Sequence, residues 1–95
     1  MRVRWLQTAI ENLNDAAEYI ARDNRAAASK IVTIITALSR RLADYPSLGH
    51  PGRVPGTREL VVPNTPYILV YRVRNAYVEI IRVFHGARKW PTRFE

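Results

Sequence analysis

The sequence predicts an α+β fold: a short N-terminal strand, a two-helix antiparallel hairpin, then three antiparallel strands forming a sheet packed on the helices. Three observations predict it. Apolar residues recur at helical spacing from Leu6 to Ile20 and again from Ala27 to Tyr45. A loop dense in proline and glycine, PSLGHPGRVPG, follows. Beyond it RELVV, YILVYRV and YVEIIRVF are rich in β-branched and aromatic residues. Ninety-five residues, 47% of them hydrophobic, suffice for one modest core but not two, so residues 1–95 read as a single domain.

The first strand is RVRW, where Val3 and Trp5 alternate with arginines. Leu6, Ile10, Leu13, Ala17 and Ile20 then form one helical stripe, with Glu11, Asp15, Glu18 and Arg22 off it. Asp23-Asn24 breaks the pattern and supplies a cap for a second helix. Its stripe is Ala27, Ile31, Ile34, Leu38, Leu42 and Tyr45, and it must end before Pro46. So short a link folds the two helices back on each other. Their stripes, Ile31, Ile34, Leu38 and Leu42 with Ile10, Leu13 and Ile20, are expected to face the sheet. Asn64-Thr65, between Pro63 and Pro66, marks one turn, and Asn75-Ala76 marks a tight hairpin. That hairpin sets Arg72 opposite Glu79. Strict alternation puts Arg82 on the other face, with Leu69, Tyr71 and Ile80.

The net charge is +7, and 13 of the 15 cations are arginine. Residues 1–49 carry seven cations and five acids, whereas residues 50–95 carry eight and three, so the field belongs mainly to the second half. Such a field attracts phosphate or an acidic protein, and the arginine fork suits both. No apolar run reaches the ~18 residues of a membrane span, so no membrane partner is expected. The opening MRVRWLQTAIENLND has acids where a secretion signal needs an apolar stretch. The absence of cysteine excludes disulfides and thiolate-bound metals and fits a cytoplasmic location.

Most catalytic chemistries lack their residues. His50 and His85 stand far apart with no cysteine to help, so neither a metal nor any other cofactor is expected. GxSxG and GxxxxGK are both missing, and Ser29, Ser39 and Ser47 lie on the second helix or its exit turn. Glu59 and Glu79 are the only acids of the second half before the terminus. What remains is the basic, aromatic stretch RVFHGARKWP, residues 82–91. Metal-free RNA cleavage is one use of it. Histidine exchanges protons near neutral pH, so His85 is a candidate acid or base. Arg82 and Arg88 suit phosphate, and Trp90 suits stacking on a base. The structural alternative is a strand end with a solvated tail, in which Trp90-Pro91 covers the sheet or the helices and Arg88 and Lys89 meet water.

Taken in order, RW, EYIARDN, LGHPGRVPGTREL, YILVYRV and VEIIRVFHGARKWP resemble the RelE/ParE superfamily of toxins from type II toxin–antitoxin modules. The resemblance spans almost the whole chain. It implies a toxin neutralised by a small acidic antitoxin, partly disordered when free, in a hetero-oligomer. RelE-like members cut mRNA on the ribosome, and ParE-like members inhibit DNA gyrase. The RelE pattern carries an arginine, a basic residue and a tyrosine at positions that fall here on Ile68, Arg88 and Phe94. Isoleucine binds no phosphate and phenylalanine carries no proton. Some RelE-like members use histidine, so His85 with Arg88 keeps ribonuclease activity as the alternative. The VPGTRE loop and the HxxRxWP ending resemble ParE more. The resemblance implies target contacts at Arg82, Arg88, Lys89 and Trp90, and antitoxin contacts at Ile20, Ile35, Arg72 and Arg74. A non-toxic basic binding module is a third reading.

Overall fold

The structure, a computed structural model, describes residues 1–94. The chain runs β1 (Arg2–Trp5), α1 (Gln7–Ala21), α2 (Arg25–Arg41), β2 (His50–Pro51), β3 (Arg58–Val61), β4 (Tyr67–Arg74) and β5 (Tyr77–His85). The expected α+β architecture is present, with the expected antiparallel β3, β4 and β5 at its centre. The sheet is wider than the sequence suggests, with strand order β1-β5-β4-β3-β2. β1 joins parallel to β5, and the two-residue β2 adds to β3 from within the proline-rich loop. No helix among the described residues is long and apolar enough to cross a membrane.

Capping and turn chemistry follow the sequence closely. Asn24 accepts a hydrogen bond from the Ala27 amide through Oδ1 at 3.0 Å and so caps α2. Asn75 and Ala76 adopt φ of 52° and 64°, the left-handed pair that a two-residue hairpin needs. Arg72 stands opposite Glu79 as expected.

The helices bury most of the expected stripes: Ile31 and Leu42 lie in the core and Leu13, Ile20, Ile34 and Leu38 pack against it, but Ile10 is left out and Ala9, Ala16, Ala28 and Ile35 join the interior. On α1 the buried residues are Ala9 and Ala16, with Leu13 and Ile20 half-buried and Ile10 38% exposed. On α2 they are Ala28, Ile31, Ile35 and Ser39, with Leu42 following the helix, while Ile34 and Leu38 are half-buried and Tyr45 is exposed. Small and large residues share the interior, with Ala9, Ala16 and Ala28 buried alongside Ile31, Ile35 and Leu42. Ile35 is fully buried in the main core beside Leu69, Tyr71 and Ile80, so it offers no surface to an antitoxin. Ser39 is also buried. Its hydroxyl donates to the Thr36 carbonyl at 2.8 Å and accepts from the Trp5 indole at 3.3 Å.

A second departure lies in β5. Tyr71 pairs with Ile80 but Val70 pairs with Arg82, so Ile81 is an extra residue in the ladder. The bulge reverses the alternation beyond it. Arg82 therefore joins Val70 on the side away from the helices, not Leu69, Tyr71 and Ile80 as strict alternation predicts. β1 reaches only as far as Ile80, and beyond it the Val83 amide donates to Asn12 Oδ1 of α1 at 3.1 Å.

The loop that leads to β3 is held in one shape. The buried Tyr71 hydroxyl donates to the Pro46 carbonyl at 2.7 Å and accepts from the Gly49 amide at 2.8 Å. A Cβ on Gly49 would stand 2.7 Å from the Glu59 carbonyl oxygen and 2.8 Å from the Tyr71 ring. One on Gly52 would clash with Thr57 Oγ1. The glycines of LGHPG are thus set by close packing.

Candidate functional site

The sheet separates two surfaces of different chemistry. On the helix side, an open cleft of about 460 Å³ lies between the helical hairpin and the β3–β4 turn. Ile20, Ile31 and Ile34 give it an apolar wall, Tyr19 and Lys30 form part of its rim, and Tyr67 and His85 close one end. Tyr67 meets His85 edge-to-face, with ring centroids 5.7 Å apart. Burial, and then the neighbouring Tyr19, push the Tyr67 phenol above its ordinary pKa. The Ala87 amide donates to His85 Nδ1 at 3.1 Å. In the neutral ring the proton then sits on Nε2, so Nδ1 is occupied as an acceptor.

The outer side is built on Ile68, Val70 and Phe84, and the C-terminal segment folds across it. Phe84 packs edge-to-face on Trp90, with centroids 5.1 Å apart, and lies 5.9 Å from Phe94. Guanidinium groups stack on these rings: Arg53 over Trp90 at 3.7 Å, Arg88 over Phe84 at 4.2 Å and Arg82 over Phe94 at 5.0 Å. The indole N–H of Trp90 is buried with no partner among the described residues. Trp90 thus covers the sheet, and one of its ring faces already carries Arg53.

Two buried carboxylates organise the outer arginines. Glu79 accepts from Arg72 Nε at 2.8 Å, with Arg4 at 3.7 Å and Arg74 at 4.0 Å from its oxygens. The Arg72 hydrogen bond, aided by the charges of Arg72, Arg74 and Arg4 and opposed by burial, holds its carboxyl below the usual carboxylate range. Glu59 accepts from the Arg53 amide at 2.7 Å and from Arg53 Nη2 at 3.2 Å. Arg4 also stacks over Tyr77 at 3.9 Å. Alternation names neither Arg4 nor Arg53. The first needs the parallel β1–β5 register, and the second needs the loop's return to β3.

The expected site residues are therefore divided. Arg82, Arg88 and Trp90 belong to the outer face, and Lys89 is exposed beside them in the chain. His85 belongs to the helix-side cleft. Of the expected antitoxin contacts, Ile20 lines that cleft, Arg72 and Arg74 lie on the outer face with Glu79, and Ile35 is in the core. The RelE-pattern positions do come together: Ile68 and Phe94 pack with Phe84, and Arg88 lies over its ring. Two of the three are apolar and occupied in packing.

Charge is divided in the same way. The helical hairpin, residues 7–44, carries five cations and five acids, which cancel. Among the described residues, register and ring contacts place Arg2, Arg4, Arg53, Arg72, Arg74, Arg82 and Arg88 on the outer face, against Glu59 and Glu79.

Comparison with known proteins agrees with this architecture. Residues 3–90 match the model of the family described as ParE toxin of type II toxin–antitoxin system, parDE. The chain is 41% identical over 90 residues to the candidate toxin Y4kP of Sinorhizobium fredii, covering 95% of this chain and 93% of that one. It is 30% identical over 87 residues to toxin RelE2 of Caulobacter vibrioides, covering 92% and 97%. A chain from a chromosomal ParDE toxin–antitoxin system of P. aeruginosa superposes with a TM-score of 0.79 at 25% identity, covering 90% of this chain and 95% of that one.

Proposed function

The chain belongs to the ParE toxin family of type II toxin–antitoxin systems, and from that membership we propose that it inhibits DNA gyrase and is neutralised by a cognate antitoxin seated in the helix-side cleft. One observation carries the choice of target. At the place where the RelE pattern needs phosphate- and proton-handling groups, this chain has Ile68 and Phe94 packed against Phe84, leaving Arg88 alone. His85, the residue that keeps ribonuclease activity open, faces the opposite side of the sheet. A nuclease needs acid, base and phosphate-binding cations converging on one phosphodiester. A gyrase inhibitor needs a binding surface and no proton transfer.

The antitoxin reading rests on the cleft. It offers apolar wall from Ile20, Ile31 and Ile34 with Lys30 at the rim. An amphipathic acidic segment that orders on binding has the chemistry to fill it. Action in the cytoplasm, within a hetero-oligomer when neutralised, follows from the same reading.

The test adds purified protein to a gyrase supercoiling assay and, in parallel, to translating ribosomes. Inhibited supercoiling with intact mRNA is expected. His85→Ala is expected to retain most of its toxicity in growing cells, because no proton moves on this protein. A general acid or base is worth roughly 10²–10⁴ in rate, so near-complete loss in that variant together with codon-phased mRNA cuts would overturn gyrase as the target. No growth arrest from the wild type would favour the non-toxic module.

A further inference from the structure

We propose that the outer face of the sheet binds the phosphodiester backbone of nucleic acid, without sequence preference, at a site separate from the helix-side cleft. The proposal rests on where the charge lies and holds for either target. The helical hairpin is neutral, whereas the outer face sets seven arginines against two acids and so holds five of the net +7 charges. A phosphate chain is drawn to such a one-sided field.

The geometry favours phosphate over protein. Arg4 and Arg74 stand 3.7 and 4.0 Å from Glu79 and have side chains 51% and 57% exposed, while Arg72 makes the short hydrogen bond to it at 2.8 Å. The Arg4 guanidinium lies 3.9 Å from the Tyr77 ring centroid and that of Arg88 lies 4.2 Å from the Phe84 centroid, contacts that leave N–H donors of each fork for phosphate. Both acids of the face are buried, so neither presents an exposed carboxylate to repel an anion. The apolar floor of Ile68, Val70 and Phe84 is already covered by Trp90 and Phe94. A protein partner needs an apolar centre to its interface, and this surface offers chiefly charge. Arginines spread over neighbouring strands match a ligand with regularly repeated negative charge.

The test is fluorescence anisotropy of the purified chain with a labelled DNA duplex of mixed sequence and, separately, a 2′-O-methyl RNA that resists cleavage. Binding to either probe with affinity that falls steeply from about 0.05 to 0.2 M salt is expected. Arg4→Gln with Arg74→Gln keeps the Arg72–Glu79 pair. It should weaken binding about tenfold or more near 0.1 M salt and reduce the log–log salt slope by about 2. Arg22→Gln with Arg25→Gln removes the same charge from the helical hairpin and should leave both quantities nearly unchanged. Arg88→Gln gives an independent reading of the face if the first pair disturbs folding, with a slope smaller by about 1. Equal weakening in the hairpin pair would mean net charge alone attracts the probe and would overturn the proposal. So would an unchanged slope in the outer-face variants, or displacement of the probe by polyglutamate at matched charge concentration.

Discussion

Glu79 is the residue on which the outer arginines converge. Its carboxyl is held below the usual range chiefly by the Arg72 hydrogen bond. The unfolded chain therefore binds a proton here at a higher pH than the folded one. The stability this adds is fully present above the unfolded value of about 4.3 and is lost as pH falls through the lower folded value. Urea melts at about pH 7 and about pH 3 should show the wild type's advantage over Glu79→Gln shrinking in acid. An advantage that holds constant would place the stabilisation in shape rather than charge. Gly49 makes the opposite point, since what matters there is an absent atom. A methyl would meet the Glu59 carbonyl at 2.7 Å and the buried Tyr71 ring at 2.8 Å. Gly49→Ala should cost about 1–3 kcal/mol by overpacking, read in the same melts. A neutral result would mean the loop yields.

At the scale of elements, the sequence is legible where a local rule acts alone. Asn24 caps α2, Asn75-Ala76 turns the hairpin, and Arg72 meets Glu79 because the turn fixes their register. It is less legible where a tertiary contact decides. Most of the apolar stripe does reach the core, but spacing among the large side chains does not show that Ala9, Ala16, Ala28 and Ile35 are buried while Ile10 is exposed. Ile35→Ala should therefore cost about 2–5 kcal/mol, and Ile10→Ala no more than about 1. Denaturant melts showing the reverse order would restore the stripe read from spacing. The bulge at Ile81 has no local signature, since YVEIIRVF reads as unbroken strand. That one residue sends Arg82 outward and leaves His85 beside Tyr67 on the cleft side. Arg82, His85, Arg88 and Trp90 are thus legible in sequence as one basic, aromatic stretch, but neither their division between two faces nor the arrival of Arg4 and Arg53 is. Parallel pairing of β1 with β5, which brings Arg4 to Glu79, likewise depends on contacts far apart in the chain.

For the whole molecule, the apolar cleft and the cationic face lie on opposite sides of one sheet. An acidic chain approaching the +7 protein feels its field at a distance, before any apolar contact forms. With the antitoxin seated in the cleft as proposed, the field would set how often the partners meet and the cleft how long they stay. Salt screens the first over a Debye length of about 10 Å at 0.1 M and touches the buried apolar contacts much less. Stopped-flow mixing of the chain with its antitoxin should therefore show the association rate falling by about tenfold or more between low and high salt, with the dissociation rate changing little. Ile20→Ala, on the cleft wall, should act the other way, speeding dissociation and leaving the salt dependence of association intact. An association rate flat with salt would mean the antitoxin docks on the neutral hairpin without steering. The arginine face would then be free for another ligand even in the neutralised complex.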